Sequence, residues 1–399
     1  MASFGAATPA AGGAGGTPPS VTTGTAHSAD ARDHSLGNSV GNDGISNVVW
    51  SPTANHLVAS SWDGSVRCWE VQEQGGQVRS MPKAQGEKKC QSLILYFDFN
   101  KKPILSFIVK FEKVTHENQA PVLSACFSGD GSTVFSVGAD NAVRMWNLAG
   151  AAPPNGVAQQ IGVHNAPIKG VGFLKSTGLV VSGGWDRLLK FWDCRQPNPV
   201  GQLELPERVY SMDVRDNLLV VACAGRHIIS YEVAGQPREH SRKESPLKYQ
   251  SRCVACFPDM TGFAVGSIEG RVGIHYLQKV QGKDSFAFKC HRQDNTNVYS
   301  VNDICFNTVH GTFATVGADG VINFWDKDNK QRLKGFPAMS RTISSASFNA
   351  QGNLFAYTAS YDWSKGSSFY NQNIPNQNEI FVHFTAEDEI RPKKKNSLR

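Results

Sequence analysis

An all-β chain whose repeated four-stranded units close into a ring is the fold class that three observations in the sequence predict. The first is a recurring string in which small residues end one strand, an Asp turns the chain and an alternating run closes on Trp. Gly183-Gly184-Trp185-Asp186 leads to Trp192-Asp193, and the pattern returns as Ser61-Trp62-Asp63 to Trp69, Gly138-Ala139-Asp140 to Trp146, and Gly317-Ala318-Asp319 to Trp325-Asp326. In each copy the Trp follows the Asp by six residues, so it falls on the same face of the outgoing strand of a hairpin. The second is the period. The turn positions Asp63, Asp140, Asp186, Gly225, Glu269, Asp319 and Asp362 lie 39 to 50 residues apart after a first gap of 77, the spacing of propeller blades. The third is a set of seven apolar first strands, beginning at Ile45, Val122, Ile168, Val209, Cys253, Val301 and Ile343. A seven-bladed β-propeller follows.

Taken in order, residues 1–40 are rich in Gly, Ala, Ser and Thr and hold almost no large apolar side chains, so a disordered arm is expected. Its single Phe4-Gly5 dipeptide is read as chance. Residues 41–390 are the expected propeller. Within them the first gap is about 30 residues too long for one blade, and the excess, 86–115, is expected to be a poorly packed insertion, the alternative being a hairpin added to the rim. Tyr231 and His275 replace the third-strand Trp in two copies, and the seventh carries an insertion from Trp363 to about Asn378 before Ile380-Phe381-Val382. After Phe384 little apolar material remains. Blade seven should therefore be completed by residues within 30–44, which closes the ring and removes the exposed sheet edge.

Composition narrows the function classes. The formal charge is +6, but Arg391, Lys393, Lys394, Lys395 and Arg399 lie in an acid-free tail, 391–399, and leave only about +1 for everything before it. The body is nearly neutral. No apolar run reaches membrane-spanning length and Met1 to Gly16 has no signal segment, so a soluble, unsecreted chain without membrane insertion is expected. Nine scattered cysteines read as reduced thiols of an intracellular compartment. Cys253 and Cys256 have metal-like spacing, but residues three apart on a strand point to opposite faces and no second pair accompanies them. No metal and no cofactor are expected. His164, His227, His275, His291 and His310 are dispersed, with no nucleophile elbow or phosphate cradle beside them, so no catalytic residue is assigned. His164 precedes a first strand, where its role is to orient the turn Asp.

Several strings go beyond what blade packing requires: Ser61-Trp-Asp-Gly-Ser-Val-Arg-Cys-Trp-Glu70, Leu205-Pro-Glu-Arg208, Glu244-Ser-Pro-Leu-Lys248, Gly266-Ser-Ile-Glu-Gly-Arg-Val272, Phe324-Trp-Asp-Lys-Asp328 and Ser360-Tyr-Asp-Trp-Ser-Lys-Gly366. The repeats resemble WD40 propellers, and these strings resemble the messenger-RNA export factors of the Rae/Gle type, which are associated with the nuclear pore. The checkpoint propellers of the Bub type share some of them, but Phe324 to Asp328, Tyr361 to Gly366 and the basic tail favour the export factors. The resemblance covers about 45–85 and 120–395. It implies a non-enzymatic adaptor in mRNA export, located in the nucleus and at the nuclear pore with shuttling to the cytoplasm. Its partners would be a nucleoporin peptide with a Glu-Glu pair lying across one face, and single-stranded RNA or mRNP. A mitotic spindle-checkpoint role with kinase peptides, or a ubiquitin-ligase substrate receptor, is the alternative.

The residues themselves point to a docking face. Second-to-third-strand turns and first-strand openings share one end of a propeller, so Trp62, Trp185, Ile268, Tyr361 and Arg252 should converge there. Large apolar groups beside a turn acid make a patch, and Arg252 near the central opening suits a bidentate bond to a carboxylate. The bland readings are that Trp62 or Trp185 leans into a neighbouring blade and that Arg252 pairs with Glu269. Trp69, Trp146, Trp192 and Trp325 are expected to be core. Lys327 and Lys330 leave blade six at the opposite end or side, where the resemblance implies contacts to RNA and to viral proteins that mimic it. The tail reads as a nuclear import signal or an RNA-attracting segment.

Overall fold

The computed structural model describes residues 30, 32–41, 43–75, 105–150, 156–278, 283–364, 366, 368, 370 and 377–393. They form seven antiparallel sheets of four strands each. In blade one the strands are Ile45–Trp50, His56–Ser61, Ser65–Gly75 and Leu105–Thr115, and the same inner-to-outer progression repeats through blade six. Blade seven takes Ile343–Phe348, Leu354–Ala359 and Glu379–Phe384 from the chain's end, and its outer strand, Asp33–Ser35, from the beginning. Each inner strand packs beside the next, and the seventh packs beside the first, so the ring is closed.

The core lies between blades. Middle strands such as Leu218–Cys223 and Leu354–Ala359 are buried along their whole length, because both of their faces meet neighbouring sheets, and they accordingly read as continuous apolar runs rather than alternating ones. Leu174, Val181, Leu189 and Phe191 of blade three, for example, pack against Val209, Leu219, Val221 and Ile229 of blade four. Outer strands meet water: Arg238–Glu244 is exposed and charged, which blunts a free sheet edge.

Trp69, Trp146 and Trp192 are buried plugs. Trp325 is only partly buried, packed with its ring centroid 4.7 Å from that of Phe288. The expected disordered arm ends earlier than residue 40, because Asp33–Ser35 pairs with Phe381, Val382 and His383, and Leu36 and Val40 enter the core of blades seven and one. The closing strand falls inside the span 30–44. The expected insertion also contracts: Leu105–Thr115 is the outer strand of blade one, in register with Ser65–Gly75 from Ser65↔Thr115 to Gly75↔Leu105. Both strands have eleven residues, against five or six in the third strands of the other blades. The rest of the insertion, 86–104, the arm 1–29 with Phe4-Gly5, and Lys394, Lys395 and Arg399 of the tail lie outside the described residues.

Candidate functional site

One end of the ring is defined by a hydrogen bond made seven times. The residue after each second strand donates its N–H to the carbonyl just before the first strand of the same blade: Trp62 to Gly44, Ala139 to Pro121, Trp185 to Pro167, Ala224 to Arg208, Ile268 to Gln250, Ala318 to Ser300 and Ser360 to Thr342, at 2.8 to 3.1 Å. The turns and the first-strand openings therefore share this end. In blades one, three and five the donor is itself large and apolar, and in blade seven Tyr361 follows the donor; blades two, four and six carry Ala. A ring of seven cannot alternate throughout, so two of the large residues, Trp62 and Tyr361, fall on adjacent blades.

Trp363 bridges them. Its ring centroid lies 5.4 Å from that of Trp62 and 5.7 Å from that of Tyr361, and Tyr370 stacks on it at 5.1 Å. Trp62 thus leans partly into the neighbouring blade, whereas Trp185 and Ile268 stand free at 44% and 39% exposure. The backbone at Trp363 is left-handed, with φ 59°. The residue after the turn position is left-handed in every blade: Gly64, Gly270 and Gly320 hold it at φ 64° to 79°, and Asn141, Arg187 and Arg226 hold it at φ 60° to 64°. The left-handed residue is thus a feature of the blade turn itself, and Trp363 is the aromatic one among the seven.

The inner strands supply the second half of the site. All seven have a register shift after the first pair, as between Ser251 and Cys253 or between Ile168 and Gly170. Such bulges leave a residue outside the ladder and re-aim its side chain. The bulged residues Ser46, Leu123, Lys169, Tyr210, Arg252, Asn302 and Ser344 line a central channel of about 670 Å³. This set contains two cations and no acid.

Arg252 donates from Nη2 to the carbonyl of Asp362 at 3.4 Å, reaching across to blade seven. Glu269 is engaged instead by Arg271 and Arg292, each at 3.5 Å, and by the Lys248 N–H, so the alternative tie between Arg252 and Glu269 is absent among the described contacts. Burial, with repulsion from Arg252, holds the Lys169 ammonium down at about 8, partly offset by Asp303. Deeper in the channel, the Asp303 carboxylate accepts Ser345 Oγ and the N–H groups of Ile304 and Ala346, and burial pushes it up to about 6. Lys169 and Arg252 therefore place two cationic groups at this mouth.

Three histidines hold turn acids. His164 Nδ1 lies 3.0 Å from Asp186 and Nε2 lies 2.8 Å from Ser182 Oγ, which also accepts the Trp192 indole N–H. His291 repeats the arrangement with Asp319, Thr315 and Trp325, and His116 contacts Asp140 and Ser136. These groups fasten the turn to its own blade. Asp30, His383 and Glu389 bring ligand-type atoms within 4.8 Å of one another, but their carboxylates are taken up by Arg32 and Lys334. Cys253 and Cys256 are buried free thiols, raised by desolvation.

At the opposite end, after Ile322–Asp326, Lys327 is buried, with its Nζ 3.0 Å from Asp328 and 5.1 Å from the Phe257 ring centre. It is an internal anchor between blades five and six rather than an open phosphate contact. Lys330 is exposed, its Nζ 4.8 Å from the Phe286 ring centre. Lys169, Asn302, Trp363 and Tyr370 did not stand out as site residues in the sequence. The available signal for the first two was their place as second residue of a first strand, where Arg252 also stands.

A closed ring of seven four-stranded blades, with turn acids held by His and Ser or Thr, defines a WD-repeat propeller. The family model for the WD domain, G-beta repeat, matches residues 34–70, 109–147, 157–193 and 282–326. The chain is 39% identical to Protein Rae1 of Drosophila melanogaster over 364 residues, covering 88% of this chain and 93% of that protein. It is 42% identical both to Protein RAE1 of Arabidopsis thaliana, covering 88% of this chain and 90% of the other, and to the mRNA export factor of Xenopus tropicalis, covering 88% and 89%. The chain belongs to the Rae1 family of WD-repeat mRNA export factors.

Proposed function

We propose that this protein is a non-catalytic adaptor in nuclear export of mRNA, and that it works by docking an acidic nucleoporin peptide across the end of the propeller that carries the turn acids. The observation that carries the reading is the convergence of apolar and cationic groups at that end. Trp185, Ile268 and the Trp62, Tyr361, Trp363, Tyr370 cluster supply apolar area, and Lys169 and Arg252 supply charge at the channel mouth. Aromatic anchors around a desolvated cation are the usual makings of a binding hot spot. A peptide with a Glu-Glu pair matches both: its carboxylates meet the guanidinium in charge-assisted bonds while its flanking side chains cover the aromatics. Relatives named as mRNA export factors support the cellular role, with the nuclear pore as its site and shuttling as its corollary.

Single-stranded RNA or mRNP is the second proposed ligand, contacting Lys330 on the other end and the basic tail. Its affinity should fall steeply with salt, and a salt slope that persists after removal of 391–399 would assign RNA to the body. For the peptide, the decisive experiment is a titration of a Glu-Glu peptide against the wild type and Arg252→Glu. Equal affinities would remove the site.

A further inference from the structure

The turn acid of blade seven is held differently from those of blades two, three and six. There His116, His164 and His291, on the connections leading into those blades, grip Asp140, Asp186 and Asp319. Asp362 instead accepts, through Oδ2, the side-chain amide of Asn302 of blade six at 3.0 Å. The same Nδ2 donates to the Ile343 carbonyl at 2.9 Å, and Ser300 Oγ donates to Asn302 Oδ1 at 2.7 Å. Because the Ile343 carbonyl can only accept, these partners fix which end of the Asn302 amide faces Asp362. Asn302 and Asp362 are both buried.

The consequence concerns Arg252, whose guanidinium already reaches the Asp362 main-chain carbonyl. A carboxylate one side chain away is the natural competitor of any incoming acid for that guanidinium. Here its Oδ1 accepts the Ser364 N–H and its Oδ2 accepts Asn302. We propose that Asn302 is a positioning residue of the peptide site, which holds the Asp362 carboxylate away from Arg252 and fixes the aromatic turn of Tyr361 and Trp363 over the channel mouth. It touches no peptide. It keeps the arginine open for the peptide carboxylate, and its loss lets Asp362 neutralise the arginine from within.

This rests on the reading of this end as an acidic-peptide site, and the test separates the two. A Glu-Glu peptide is titrated against the wild type, Arg252→Glu, Asn302→Ala, Asp362→Asn and the double variant Asn302→Ala/Asp362→Asn, with a thermal melt on each. Asn302→Ala is expected to weaken binding about tenfold. The double variant is expected to recover most of that loss, because the competing charge is gone, a rescue that damage to the fold would not give. In the free protein, Asn302→Ala is expected to raise hydrogen exchange across 360–364. Unchanged exchange, unchanged affinity in Asn302→Ala, or no rescue in the double variant each overturns the inference. Equal binding by the wild type and Arg252→Glu overturns the reading of the site instead, while the exchange result still decides whether Asn302 positions the turn.

Discussion

Arg252 sits at the bulge of an inner strand, and that location decides what its guanidinium can do. It projects into the channel mouth beside Lys169, with the nearest deep acid, Asp303, already satisfied by Ser345 and two backbone N–H groups. Arg252→Ala should cost about 2 to 5 kcal/mol of peptide binding, because a desolvated carboxylate would lose its partner; calorimetric titration measures it, and a loss within error would show that the pair is not desolvated. Lys169 adds a pH signature. With its ammonium held at about 8 by burial and by Arg252, it discharges between pH 7 and 9 while the peptide carboxylates stay ionised, so affinity should fall over that interval. Lys169→Arg should flatten the slope, as read by fluorescence anisotropy across the range. Trp192 is the opposite kind of residue: it is fully enclosed and hydrogen-bonded to Ser182, and Trp192→Ala should lower stability by about 3 to 5 kcal/mol in denaturant unfolding. Trp62, Trp185, Ile268 and Tyr361 were legible as site candidates because each sits at or beside the turn acid. The burial of Lys327 was not legible, because it depends on Phe257, a residue of another blade about 70 positions earlier in the sequence.

At the scale of elements, ring closure depends on a three-residue strand with few backbone bonds, and side-chain charge makes up the difference. His383 stands between two carboxylates, with Nδ1 2.7 Å from Asp33 and Nε2 3.2 Å from Glu389, while Tyr357 donates its hydroxyl to Asp33 at 2.6 Å. Arg32 and Lys334 pair with Glu389 as well. Burial alone would lower the His383 pKa, but its bonds to Asp33 and Glu389 outweigh it and raise it. For Glu389 burial would raise the value, and His383, Lys334 and Arg32 bring it down to about 2. A raised His contributes stability that is complete below its unfolded pKa and lost as pH climbs through the folded one; a depressed Glu contributes above its unfolded pKa and loses it as pH falls. The clasp should therefore be tightest from about pH 4.5 to 6.5 and weaken on either side. Melting temperature followed from pH 5 to 9 should decline on the alkaline side in the wild type and lose that component in His383→Gln. Identical slopes would mean that His383 is neutral in the folded ring.

For the whole molecule, closure makes the seven blades mutually dependent. Gly75 and Leu105 are opposite one another in blade one, so replacing 76–104 with a short turn should leave the melting temperature nearly unchanged, given the slow growth of loop entropy with length. Deleting 86–115 instead removes an outer strand and should lower it sharply. Equal effects of the two deletions would contradict the pairing. The architecture itself was written in local chemistry: turn acids, aromatic plugs and first strands recur at a blade's spacing, and strand alternation depends only on neighbours in the chain. The closing strand within 30–44 was legible for the same reason, as the one missing piece of a countable pattern. What the linear order left open was which residue of each inner strand leaves the ladder, which left-handed position tolerates a tryptophan, and which lysine is covered by another blade. Those depend on groups tens to hundreds of residues apart meeting around the channel, so only the closed ring assembled Lys169, Arg252, Asn302, Asp362 and Trp363 into one site.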